Sequence, residues 1–232
     1  MDLPKPVSRD EWLEARKTLL LREKAMTRER DQISALRRRM PLLQVEDAYS
    51  FDSEEGRRTL RQLFGPHRQL IIYHFMFGPD WQEGCVSCSF WADNFDGIDV
   101  HLAARDTAFV CASNAPLDRL QAYRKRLGWR FKWVSAADTD FSADFAVSFH
   151  DGDQSLTGTG YNYSGAYPAD ELPGISVFIR KGDTVFHSYS TYSRGLDMLN
   201  GAYHFLDLTP LGRQEEDMDW SNPWLKRRDS YD

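Results

Sequence analysis

The sequence predicts an α/β domain, and three observations lead there. Leu70-Ile71-Ile72-Tyr73-His74-Phe75 is a nearly continuous apolar run, as in a strand buried on both faces of a mostly parallel sheet. Thr107 to Cys111 and Phe131 to Ser135 repeat that pattern with helical stretches between, which gives βαβαβ. The chain has 232 residues, 41% hydrophobic and 13% aromatic, enough for one domain with appendages and the opposite of a disordered or collagen-like composition.

Taken in order, residues 1–41 form a helical arm. Ser8 and Glu11 have capping-box spacing, Val7 and Trp12 sit where a hydrophobic staple closes, and Pro41 stops the helix. Trp12, Leu19, Met26, Ile33 and Met40 recur every seven residues, but Arg22 and Glu29 interrupt the alternate positions, so the pattern is a docking arm rather than a full coiled coil. Its stripe rests either on its own domain or on a second copy of the chain. Between residues 9 and 40 there are ten Lys or Arg and six Asp or Glu, a local +4 against -10 for the remainder.

The main domain is expected over 42–212. Tyr49 to Asp52 with Gly56 reads as a short strand and turn, Arg58 to Phe64 as a helix, and a further helix follows the first buried strand from about Ser87 to Leu102. Pro116 opens a helix to Leu127. Residues 151–168, polar and rich in Gly and Tyr, read as a long surface loop. Ile175 to Ile179 and Thr184 to Tyr189 form a hairpin around Lys181-Gly182-Asp183, and Leu196 to Leu206 a closing helix. Residues 213–232 read as a surface extension or a short helix.

With 29 Lys plus Arg against 35 Asp plus Glu, the formal charge of -6 has the wrong sign for wrapping nucleic acid. No window of 18 apolar residues occurs, and charges and prolines stand where a signal peptide needs an apolar run, so no membrane partner and a cytoplasmic location are expected.

Cys85-Val86-Ser87-Cys88 carries the chemistry. Between a strand and a helix, Cys-x-x-Cys places the first sulfur near free N–H groups at the helix start, which favours thiolate. The second sulfur returns to the same side one turn later, placed to attack a mixed disulfide at the first. Cys85 is therefore the expected nucleophile and Cys88 the resolving thiol, with no tightly bound cofactor. A zinc site would need a second pair of ligands, and the six histidines form no close pair, so no metal is expected. Cys111, inside an apolar strand, reads as a small hydrophobe. His74, 11 residues before Cys85, is a candidate modulator of the thiol. Trp81 and Trp91 flank the motif as a candidate substrate wall.

The residues Tyr73-His74-Phe75-Met76-Phe77-Gly78-Pro79-Asp80-Trp81, Gly84-Cys85-Val86-Ser87-Cys88-Ser89-Phe90-Trp91-Ala92-Asp93-Asn94 and Val185 through Gly195 resemble a bacterial family of unknown function described as predicted dithiol-disulfide oxidoreductases. With Leu206-Asp207-Leu208-Thr209-Pro210 the resemblance spans most of the chain. It implies a thioredoxin-like three-layer α/β/α sandwich. Gly84 stands where thioredoxins proper carry Trp before the motif, and Ser87 where they carry Pro. The resemblance also implies a cis-proline facing the sulfur before the strand near Ile175. Pro173 is the nearest candidate, and with Gly84 it joins the substrate-binding set. The lead-in from Phe51 to Phe64 resembles that of peroxiredoxins as well.

Three functions compete: a thiol-disulfide oxidoreductase acting on a protein or small-molecule thiol or disulfide, a thiol peroxidase passing through a sulfenic acid, and a non-catalytic binding module on the same fold. A homodimer through the N-terminal helix is the expected assembly.

Overall fold

In the computed structural model, residues 3–45, 49–149, 159–164, 169–216, 218 and 224–231 are described. Most of the expected 151–168 loop lies outside them. The elements in chain order are α1 (Arg9–Arg37), β1 (Leu43–Val45), β2 (Ser50–Ser53), β3 (Gly56–Thr59), α2 (Leu60–Leu63), β4 (Gln69–His74), α3 (Val86–Asp93), α4 (Asp99–Ala103), β5 (Thr107–Ser113), α5 (Leu117–Leu127), β6 (Lys132–Ser135), α6 (Phe141–Asp144), β7 (Gly174–Lys181), β8 (Thr184–Tyr192) and α7 (Gly201–Leu206). Short 3-10 turns at Tyr161–Tyr163 and Ser193–Leu199 complete them.

The strands form one sheet in the order β1-β8-β7-β4-β5-β6-β2-β3. At its centre β4 pairs parallel with β5 and antiparallel with β7, β5 pairs parallel with β6, and β7 pairs antiparallel with β8. A strand so flanked and followed by the cysteine-bearing helix gives the thioredoxin-like arrangement. Alternation along β4 and β5 splits the interior. Tyr73, Phe109 and Cys111 face α3 and α5, with Phe75 just past β4 on the same side, while Leu70, Ile72, Val110 and Ala112 face α2 and α6 on the other.

Several expectations are corrected. Gly56 to Thr59 pairs with β2 as a strand, and the helix there is a single turn capped by Thr59 and Gln62. The helix after the cysteines breaks at Asp93: Asn94 turns its side chain back onto the Phe90 carbonyl, and Gly97 has φ +86, which an L side chain rarely adopts. The closing segment is a 3-10 turn that leads into α7, not one helix. The capping box at Ser8 and Glu11 forms, but α1 ends at Arg37 and buries no residue. Its stripe, Trp12 at 58% exposure and Met26 at 59% included, does not rest on its own domain, although the Arg37 guanidinium lies 5.2 Å from the Tyr189 ring centroid. Among the described residues no helix is long and apolar enough to cross a membrane.

Candidate active site at the two cysteines

The backbone just after β4 and the start of α3 hold the two thiols together. Cys85 is the N-cap of α3, its Sγ accepting from the Cys88 N–H at 3.4 Å, as a serine cap would do. The Cys85 N–H donates to the Met76 carbonyl at 3.0 Å, and the Met76 N–H donates to Cys88 Sγ at 3.5 Å. These two bonds close the 77–84 loop and fix both sulfurs against the end of the strand. Cys85 is half-buried, Cys88 and Cys111 are buried, and all three are free thiols.

The two environments pull the thiols apart. Cys85 is brought down to about 7 by the hydrogen bond shared with the Cys88 side chain, against the opposing effect of burial, and helped by the Cys88 and Ser87 amides and the charge of Arg227. Cys88 is pushed well up by burial and by its partner, and Cys111 by burial alone. This ordering makes Cys85 the sulfur that ionises first.

Arg227 is not among the residues that the sequence singles out. It comes from the C-terminal segment, donating through Nη2 to the Gly84 carbonyl at 2.8 Å and through Nε to the Tyr123 hydroxyl at 2.7 Å, and its Nη1 lies 3.0 Å from Glu83. Tyr123 in turn meets Ser89 Oγ at 2.9 Å, and Ser89 Oγ donates to the Cys85 carbonyl at 2.8 Å. A ring of bonds therefore grips the first turn of α3. Its only sequence signal was the basic run Lys226-Arg227-Arg228 in an otherwise acidic tail.

The other candidates divide. Trp91 and Pro173 line the same cavity of about 990 Å³ as Cys85 and Cys88. Trp91 is set by its Nε1 donating to the Leu196 carbonyl at 3.0 Å. The bond before Pro173 is trans, since no described peptide bond is cis. Trp81 does not line the cavity; its ring covers Gly78, where a Cβ would come within 2.9 Å of the indole nitrogen. Gly84 does not line it either, and its backbone explains the residue: a Cβ there would stand 2.6 Å from the Phe75 ring and 3.1 Å from Tyr123. His74 is on the far face. Its Nε2 meets Ser176 Oγ at 2.8 Å and its ring stacks on Phe141 and Phe145, so the sheet separates it from the thiols. Tyr161, from the described remnant of the long loop, lines the cavity and donates to the Pro173 carbonyl at 2.7 Å. Among the described residues no group of three His, Cys, Asp or Glu is placed to hold a metal ion.

Peroxiredoxin Q of Xanthomonas campestris is 14% identical with a TM-score of 0.47, covering 70% of this chain and 95% of that one. Peroxidoxin BcpB of Mycobacterium tuberculosis is 13% identical with a TM-score of 0.44, covering 68% and 94%. No curated protein matches. The family model described as bacterial protein of unknown function (DUF899) matches residues 1–231, and the chain belongs to that family.

Proposed function

We propose that the protein is a thiol-disulfide oxidoreductase in which Cys85 is the nucleophile and Cys88 the resolving thiol. The observation that carries this reading is the Cys85 Sγ at the N-terminus of α3, within 3.4 Å of the Cys88 N–H, with the second sulfur buried one turn inside. A helix start stabilises thiolate by on the order of 1 kcal/mol, and the amides that cap it are fixed before any substrate arrives. Exchange then needs only the approach of a disulfide to Cys85 and the return of Cys88. The decisive experiment equilibrates the protein in graded dithiol-disulfide buffers and maps the bridges by mass spectrometry. A reversible Cys85–Cys88 bridge with Cys111 reduced supports the reading; a bridge to Cys111, or none under oxidising poise, sinks it. Peroxide consumption through a sulfenic acid at Cys85 would instead make the protein a thiol peroxidase.

We also infer that two chains pair through α1. A helix of 29 residues with no buried side chain leaves its heptad-spaced apolar residues in water. The arm's positive charge also complements the acidic remainder. Sedimentation of the intact chain checks this: a dimer that dissociates on Trp12→Glu with Met26→Glu is expected, and a monomeric wild type at micromolar concentration would rule it out.

A further inference from the structure

Residues 211–216 with Met218 form one wall of the cavity that holds the thiols, and its chemistry points to what reaches Cys85. Arg213 fastens it: its guanidinium bonds Asp207 at 2.7 and 2.8 Å and Asp197 at 3.2 Å, and lies 4.0 Å from the Tyr203 ring centroid. Glu215 adds a second brace, accepting from the Tyr203 hydroxyl at 2.9 Å and the Trp224 Nε1 at 2.7 Å. Arg194, Asp197, Asp207 and Arg213 at the cavity are thus spent on one another, which leaves the carboxylates of Glu215 and Glu216 as its remaining charges and disfavours an anionic ligand. The rest of the lining exposes more apolar than polar surface, with Met76, Trp91, Leu172, Pro173, Leu196 and Leu211 contributing.

We propose that the physiological partner of Cys85 is a small, uncharged organic disulfide, or the corresponding thiol in reverse, held by its apolar body in this cavity, and that the 211–216 wall excludes the disulfides of folded proteins. The proposal rests on the exchange reading above. A cavity of about 990 Å³ matches a small-molecule site in size, whereas a folded protein needs its partner sulfur on an accessible surface. In the reaction Cys85 loses its proton to solvent, the resulting thiolate attacks one sulfur of R–S–S–R, the S–S bond breaks, and one RS⁻ leaves and takes up a proton from solvent. Cys88 then gives its proton to the second leaving sulfur as its own sulfur attacks Cys85 in the mixed disulfide. The disulfide is reduced by two electrons to two RSH, and the cysteine pair is oxidised to its bridge.

The test mixes the reduced full chain with uncharged dithiodipyridine, with dianionic dithionitrobenzoate and with insulin, each rate divided by that of a free small thiol with the same reagent. Bridge formation at Cys85 and Cys88 is read by mass spectrometry. The expected order is dithiodipyridine faster than dithionitrobenzoate by roughly tenfold or more, and insulin slowest by roughly a hundredfold, since an unmatched shape or charge in a pocket costs factors of this size. Insulin matching dithiodipyridine, or the dianion being preferred, overturns the proposal with the exchange reading intact. Arg213→Ala, checked for folding by circular dichroism, is expected to raise the insulin rate about tenfold by loosening the wall, and an unchanged insulin rate in the folded variant overturns the wall's role. If no reagent closes the bridge while iodoacetamide still labels Cys85, the exchange reading itself fails and takes this one with it.

Discussion

The two faces of the central sheet carry the two reactive residue types of the chain and treat them oppositely. On one face Cys85 is half-buried, capped by amides and flanked by a guanidinium, so its charged form is favoured. On the other, His74 is packed against Phe141 and Phe145, bonded to Ser176 and brought down to about 3 by burial and by the neighbouring His187, so its charged form is refused. The two sites lie 11 residues apart in sequence, yet one strand divides them. Nearness in sequence to a reactive thiol is therefore no argument for a histidine's role; the parity of its position in the strand is.

The comparison breaks first at the cysteines. Cys85→Ser should reduce disulfide exchange to the rate of buffer alone, while Cys88→Ser should leave the first attack intact and accumulate a mixed disulfide at Cys85, both read by intact mass. A change at Gly84 strikes the packing beneath: Gly84→Ala forces a Cβ 2.6 Å from the Phe75 ring and should cost about 1–3 kcal/mol, measured by urea denaturation.

The histidine face should show itself in acid. Because the folded-state value of His74 is depressed, the unfolded chain binds more protons between about pH 6.5 and 3, and stability falls as pH drops through that window. His74→Gln keeps a polar partner for Ser176 without titrating, so it should flatten that fall by up to one proton's worth of slope, leaving the part due to His187. A wild type equally stable at pH 4 and pH 7 would contradict the burial argument.

The smallest effect sharpens the thiol face alone. Arg227→Gln removes one charge while keeping an N–H near the place of Nε beside Tyr123, and should move the pH midpoint of Cys85 alkylation upward by a small part of its depression. An unshifted midpoint would leave the helix amides and the Cys88 thiol as sufficient cause.

Much of this was legible because it is local. The apolar runs that form β4, β5 and β6, the hairpin of β7 and β8, the capping box of α1 and the placement of Cys85 at a helix start all show in residue patterns that span a few positions. His74 could have been placed too: with Tyr73 and Phe75 pointing toward the helix that bears Cys88, the residue between them points away. The rest depended on distance along the chain. Arg227 grips a carbonyl 143 positions earlier, and the pairing of Arg213 with Asp197 and Asp207 has no periodic signature. The sequence shows Gly84 only as a neighbour of the motif, whereas the aromatic rings that forbid a side chain there come from the residue after β4 and from α5.

The polar chain on the histidine face has a consequence of its own. His74 Nε2, Ser176 Oγ, Ser190 Oγ and His187 Nε2 follow one another at 2.8 Å, so four groups share three hydrogen bonds. With both hydroxyl protons directed along the row, they fill two of those bonds and the third comes from one imidazole. In that arrangement the two neutral rings are opposite tautomers, one protonated at Nε2 and the other at Nδ1, with both hydroxyls oriented head to tail between them. Reversing either ring reverses the polarity of the whole row, much as proton order propagates in ice, and nitrogen chemical shifts of the two imidazoles would read its direction.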